Sequence, residues 1–312
     1  MTREPSAEVE IDEALLRRLL HDRAPHLADL PLTRVTNGWD NVIWRLGDVL
    51  AVRITRRAIS VSLHAHEQRW LPVLAPHLPL PVPAAVVAAG PSAHFPWPWS
   101  VVPWYDGNTA ERTPLSRTEA PALGRFLAAL HVSAPEDAPF NPFRGVPLEH
   151  RQPSITEWTE RLGTKRDRAL ITAARAVFDS GLATARSGQR LWLHGDLHPR
   201  NVLVRDGRIA AVLDWGDMAA GDAATDLAAV WWFFDLDAHS DFWSAYGEIR
   251  AATWHRARAW AAVFGLSFLH RELPNDAGTA DTRAQDLGRA QLERVVAMQL
   301  PPAPSSPADH SE

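Results

Sequence analysis

The chain has 312 residues, of which 46% are apolar, enough for one large domain or for two lobes with substantial cores. Its 37 acidic and 32 basic side chains give a formal charge of -5 with no long basic run, which argues against a nucleic-acid backbone as partner and for small molecules. Cysteine is absent, which excludes disulfides, thiolate ligands and cysteine nucleophiles and suits a cytoplasmic address; charge interrupts every apolar run before about 18 residues, so neither a membrane span nor a signal peptide is expected.

Apolar positions at helical spacing predict a first helix over 11–20, followed by a connection containing histidine and proline. Residues 41–46 and 49–54 read as strands around a tight turn at Gly47-Asp48. A helix over 62–74 should bend or end at Pro72, and 85–89 and 100–102 are candidate strands. These elements describe a small strand-rich lobe over 1–103. Tyr105-Asp106-Gly107-Asn108 reads as a turn. Ser116–Glu119 has capping-box spacing before a helix that carries Leu123, Phe126, Leu127 and Leu130 on one face. Residues 133–153 lack periodicity and read as a loop, and Ser154–Glu157 is a second capping-box candidate. Strands then lead into helices near 222–236, 239–262 and 283–299, so 104–300 forms a larger lobe. The Pro- and Ser-rich 301–312 reads as a disordered tail.

The richest chemistry lies in WLHGDLHPRN, from Trp192 to Asn201. An apolar strand leads into His194-Gly195-Asp196, and the strands 202–204 and 209–213 flank the hairpin signal Asp206-Gly207. Asp196 and Asn201 therefore sit on a loop held between strands, and Asp214 at the exit of the next strand, so all three can converge on one cleft. Such a set can accept a proton from a hydroxyl at Asp196 and hold magnesium against phosphates through Asn201 and Asp214. His194, Asp196 and His198 alternate and also raise a metallohydrolase centre, but Pro199-Arg200-Asn201 ends the alternation and a phosphate-site magnesium accounts better for Asp214. Asp217 is near enough in sequence to approach a metal or substrate, or it is a solvated turn residue. Thr36-Asn37-Gly38-Trp39 forms a turn in which Gly38 lets backbone N–H groups approach phosphates. There is no GxxxxGK[ST] segment, and Lys165 is the only lysine, which disfavours a P-loop kinase.

HGDLHPRN at 194–201 and LDWGD at 213–217 resemble the pattern of the aminoglycoside phosphotransferase family of kinase-like enzymes, over roughly residues 30–270. The resemblance implies an α/β (α+β), two-lobed protein-kinase-like fold with a sheet-containing N-terminal lobe and a helical C-terminal lobe. It implies transfer of the gamma-phosphate of ATP, or of GTP, to a hydroxyl of a small molecule, with Mg2+ as cofactor. His194 then steadies the loop, Asp222 caps a helix and braces the loop, and Asp226 supports it from inside that helix. Asn37 and Gly38 belong to a short loop over the nucleotide. Arg53 stands where the family has a lysine that contacts phosphates, with Glu67 as its helix partner; an arginine keeps the charge but is bulkier. Val101–Tyr105 resembles the hinge that meets the nucleobase, with the backbone of Val102 and Trp104 as candidate contacts and Pro103 lacking a donor.

The acceptor depends on the C-terminal helices. An aminoglycoside, the leading expectation, would favour an acidic cleft, for which Asp217, Asp222, Asp235, Asp237, Asp241 and Glu248 are candidates. A macrolide would instead use apolar area from Trp231, Trp232, Phe233, Phe234, Phe242 and Trp243, although these aromatics also suit a core. A cellular alcohol or sugar, or a catalytically weak nucleotide-binding regulator, are the remaining alternatives.

Overall fold

The computed structural model describes residues 8–37, 41–163, 167–185, 187–270 and 282–298. Gly38, expected in the phosphate turn, and the expected tail at 301–312 lie outside them. The first helix, α1 (Glu13–Arg23), starts where the Asp12 carboxylate accepts the Leu15 N–H at 2.7 Å, and it buries Leu15, Leu16, Leu19 and Leu20 along one face. That face packs on a five-stranded antiparallel sheet of β1 (Leu32–Asn37), β2 (Asn41–Leu46), β3 (Leu50–Thr55), β4 (Val87–Ala89) and β5 (Trp99–Pro103), in spatial order β1-β2-β3-β5-β4. Leu16, Leu20, Val42, Leu46, Val52, Ile54, Phe95, Trp99 and Val101 share one core there. The edge strand β1 falls where only a connection was expected: its LTRVTN sequence is mostly polar, as a strand with one open edge tolerates, and its pairing with β2 is irregular between Arg34 and Thr36. The β2–β3 turn is longer than a two-residue hairpin, because Leu46 pairs with Leu50.

Helix α2 (Val61–Leu74) covers this sheet and runs on past Pro72. The proline sits in the last turn, where its missing N–H costs a single bond, and the chain then tightens into a 3-10 turn at Ala75–His77. The helix serves two cores: Glu67 and His64 point into the N-terminal half, whereas Leu71 and Leu74 join the apolar cluster of the C-terminal half.

The expected turn at 105–108 is partly a strand, β6 (Asn108–Thr109), which pairs with β8 (Val202–Arg205), itself paired with β9 (Arg208–Val212). β7 (Leu191–Leu193) pairs with β10 (Ala219–Gly221). Ser116 caps a 3-10 turn through the Thr118 N–H rather than closing a capping box, because the Glu119 carboxylate turns away to the Ile209 N–H at 3.1 Å; α3 (Ala120–Leu130) follows. The second capping-box candidate also fails, since α4 (Gln152–Leu162) has already begun two residues before Ser154, with Pro153 in its first turn.

Helix α5 (Arg168–Leu182) was not foreseen. The expected helix over 222–236 is two short ones, α6 (Ala224–Leu227) and α7 (Val230–Phe233), because the N–H groups of Ala229, Trp231 and Trp232 bond to the carbonyls three residues back and overwind the chain. The expected helix over 239–262 likewise divides at Gly247, giving α8 (His239–Tyr246) and α9 (Ala251–His270); α10 (Thr282–Ala297) is the last. Buried on nearly every side, α9 packs against α4, α5, α6 and α10. Trp231, Trp232, Phe234 and Phe242 all belong to this core. No helix among the described residues is long and apolar enough to cross a membrane.

Candidate active site

The loop after β7 is fixed by a buried carboxylate. Asp226, on α6, accepts the N–H of His194 at 2.7 Å and of Gly195 at 2.9 Å, with His131 Nε2 at 3.4 Å. Gly195 has φ +86°, and a side chain there would come within 2.3 Å of the Asp217 carbonyl oxygen, so the turn admits glycine alone. His194 packs on Trp215 with ring centroids 4.8 Å apart. Its Nδ1 accepts the Asp196 N–H at 3.2 Å, which leaves Nε2–H to donate to the Leu213 carbonyl at 2.9 Å. Both ring nitrogens are engaged, and no group of three His, Asp or Glu among the described residues is arranged to hold a metal, which removes the support for a His-Asp-His metal cage.

Asp196 is thereby presented by its own backbone, with a half-buried side chain. Asn201 Nδ2 donates to the Asp196 carbonyl at 2.9 Å and lies 3.4 Å from its Oδ2. The Asn201 carbonyl accepts the Leu213 N–H at 2.8 Å, which brings the end of the next strand, and hence Asp214, to the same loop. Asp214 has φ +59°, an uncommon conformation for a residue with a side chain, and its carboxylate is 59% exposed. Oxygens of Asn201 and Asp214, one neutral and one anionic, are a donor set suited to magnesium, which keeps waters and phosphate oxygens among its ligands.

Arg53, on β3, forms a buried ion pair with Glu67 of α2, and its other terminal nitrogen reaches Asp214 Oδ1 at 3.2 Å. Burial raises the Glu67 pKa, with the Arg53 charge opposing and Asp214 adding to the rise. Asn37 ends β1 opposite Val42. Val102 pairs with Ala51 in the sheet. The Trp104 N–H, expected as a nucleobase donor, is instead engaged by the Val49 carbonyl at 2.8 Å, because the β3–β5 ladder continues one residue past Pro103. The Trp104 indole donates to Asp106 at 2.9 Å, with the Arg45 guanidinium 5.1 Å from its ring.

A neighbour of Asp196, Arg144, and a neighbour of Asp217, Asn141, carry no signal in the sequence. Arg144 NH2 donates to Asp196 Oδ1 at 2.8 Å and lies 3.8 Å from Asp217 Oδ2, while Asn141 donates to Asp217 at 2.7 Å. Both come from the aperiodic 133–153 segment, where no local pattern marks them. That segment is anchored where it crosses β10: the Asp222 N–H donates to the Gly145 carbonyl at 3.0 Å, and a side chain on Gly221 would lie 2.6 Å from the Gly145 Cα. On the other side, His198 Nε2 is 3.1 Å from Asp196 Oδ2 while its Nδ1 accepts the Arg200 N–H. Burial resists ionisation of Asp196, but His198 and then Arg144 outweigh it and hold the carboxyl far below the ordinary carboxylate range.

The Asp196 loop, Asn201 and Asp214 converging beside it, and the Arg53–Glu67 pair that joins β3 to α2 and reaches Asp214 match the arrangement expected from the sequence for phosphoryl transfer. A model of the phosphotransferase enzyme family, APH, matches residues 31–260. The chain belongs to that family. Solved structures of similar fold include the GDP and kanamycin complex of APH(2")-IIia, at 15% identity and a TM-score of 0.65, covering 90% of this chain and 97% of that one. The GDP complex of wild-type aminoglycoside 2'-phosphotransferase-IIIa aligns at 15% identity and a TM-score of 0.66, covering 92% and 99%. The macrolide 2'-phosphotransferase MphH from Brachybacterium faecium, as apoenzyme, aligns at 24% identity and a TM-score of 0.58, covering 90% and 97%. A search of curated proteins finds no match. This APH-family chain therefore has the kinase-like α+β fold, with an antiparallel sheet in its N-terminal region and a mostly helical remainder.

Proposed function

We propose that the chain is a small-molecule kinase that moves the gamma-phosphate of ATP or GTP to a hydroxyl, with magnesium. The observation that carries this reading is the convergence of Asp196, Asn201 and Asp214 at one braced loop, tied through Asp214 to the Arg53–Glu67 pair between β3 and α2. Residues 1–103 form the nucleotide-covering lobe and 104–300 the catalytic and acceptor lobe. The loop expected at Asn37 and Gly38 would cover the phosphates, and Arg53, oriented by Glu67, would neutralise phosphate oxygens. The base would lie along the end of β5, near Val102 and Trp104. Asn201 and Asp214 would hold Mg2+, which when bound offsets charge on the phosphates.

Asp196 accepts the hydrogen bond of the acceptor hydroxyl and aims its oxygen at the gamma-phosphorus. The new O–P bond forms as the bond from phosphorus to the bridging oxygen breaks, the electron pair leaves with the nucleoside diphosphate, and the hydroxyl proton passes to Asp196. A carboxylate held so firmly ionised is a weak base, which suits a loose transition state in which the proton moves late and positioning dominates. Solved neighbours carry GDP with kanamycin, or ADP, in their own sites. The test is mass spectrometry of purified protein with magnesium, ATP or GTP and a pooled hydroxyl-compound panel. One acceptor should gain a phosphoryl group, and Asp196→Asn should lose at least about a hundredfold in kcat while still binding nucleotide. Parent-rate turnover by that variant would remove Asp196 from the mechanism.

A further inference from the structure

A polycationic acceptor needs open carboxylates, and most of the candidates are already matched. Asp222 is bound by Arg256 at 2.6 Å, Asp235 by Arg294 at 2.7 Å and Asp237 by Arg117 at 2.8 Å. Asp217 takes the Asn141 amide and has Arg144 at 3.8 Å; Asp241 and Glu248 are exposed, and Asp235 and Asp237, although paired with arginines, are exposed as well. At the point where an acceptor must arrive stands a cation, the Arg144 guanidinium on Asp196. It rests 5.2 Å from the Phe264 ring, its side chain is 17% exposed, and its buried Nε has no hydrogen-bond partner among the described residues. On the same short segment, Phe140 and Phe143 stand exposed. The reacting carboxylate is thus paired with a positive charge whose buried Nε is an unused donor.

We infer that Arg144 is a specificity-determining residue which selects acceptors carrying no cation beside the reacting hydroxyl, that is, neutral or carboxylate-bearing hydroxyl compounds, and rejects polycationic aminoglycosides. The inference rests on the kinase reading above and departs from the aminoglycoside expectation. A hydroxyl approaching Asp196 takes the place of the guanidinium at Oδ1, and the displaced guanidinium turns towards the acceptor. An ammonium group on that acceptor meets a like charge in a partly desolvated site, whereas a hydroxyl or carboxylate receives the freed N–H donors.

Purified full-length protein with magnesium and ATP or GTP is given hydroxyl compounds in matched neutral, carboxylate-bearing and ammonium-bearing forms, with kanamycin as the polycation, and kcat and KM are measured for each. The wild type should favour the neutral or carboxylate form over its ammonium counterpart by about a hundredfold in kcat/KM, mostly through KM. Arg144→Gln should narrow that ratio to within about threefold, and Arg144→Lys, which keeps the charge, should restore most of it. A wild type that phosphorylates kanamycin or the ammonium forms as well as the others overturns the inference, as does an unchanged ratio in a folded Arg144→Gln protein. If both variants fail to fold, the wild-type panel alone decides. Absence of transfer to every compound overturns the kinase reading itself, an outcome distinct from transfer with the wrong charge preference.

Discussion

Replacing Asp226 by asparagine tests whether the loop is held in place by one buried carboxylate. In the native protein, Asp226 is 1% exposed and accepts two buried backbone N–H groups, at 2.7 and 2.9 Å. An asparagine oxygen can still take one of them, but its NH2 then faces the other N–H, donor against donor. The loss is one charge-assisted bond, roughly 1.5–3 kcal/mol, plus about 1 kcal/mol from the weakening of the other once the charge is gone. The sum is about 2.5–4 kcal/mol, a large part of the stability of an ordinary domain. Urea unfolding followed by both tryptophan fluorescence and circular dichroism measures it, with coincident transitions as the check on two-state behaviour. Because the two N–H groups belong to the residues just before Asp196, kcat should fall further than nucleotide affinity. A stability loss under about 1 kcal/mol with kcat unchanged would refute the reasoning, since it would mean that Asp196 is positioned by something other than this carboxylate.

His64 carries a pH prediction. Burial, and then the Arg53 charge, push its pKa down to about 3, and its ring is held by Thr55, Ser100 and Asn41. Between pH 6.5 and about 3, the unfolded chain binds a proton that the folded chain refuses, so stability falls as the pH is lowered through this window. The slope from this one group approaches about 1.4 kcal/mol per pH unit, or 2–3 kcal/mol by pH 4.5. His64→Gln should flatten the curve between pH 6.5 and 4.5 in urea titrations, and an identical slope in both proteins would count against it. Gly195→Ala forces a Cβ to within 2.3 Å of a backbone carbonyl at φ +86° and should cost about 3 kcal/mol or more, with loss of transfer; a thermal midpoint within a degree or two of wild type would show that the loop yields freely.

What could be read from the chain followed the kind of signal each part emits. The residues of the catalytic loop and of the strand ending at Asp214 are close in sequence and bounded by hairpin chemistry, so their convergence is a local deduction that the hydrogen bonds to Asn201 realise. The Arg53–Glu67 pair was legible because a strand and a helix of recognisable period carry it. Helix α5 was missed because two of its five buried positions, Ala174 and Gly181, are small, which weakens an apolar period. The split of the 222–236 helix was hidden for the opposite reason: apolar residues on all sides carry no information about where the winding changes. Arg144 was invisible because its contact with Asp196 spans 52 residues and arises from a segment with no regular structure. The Trp104 N–H shows the same limit at the scale of one bond, since only the β3–β5 register reveals that it is taken.

The crossing of Gly145 and Gly221 limits how the acceptor position can open. With no side chain on either strand of that crossing, the two backbones touch, and the residue after Arg144 is clamped to β10 by the Asp222 N–H and to α6 by the Thr225 hydroxyl at 3.1 Å. The main chain at 144 has little freedom to lift away as a flap. On the proposed mechanism, Asp196 would be cleared for an incoming hydroxyl by rotation about the arginine's own side-chain bonds rather than by a moving lid. Opening would then break the Arg144–Asp196 ion pair while leaving the backbone frame held by Gly145 in place, so a substrate would meet a loop already set for it.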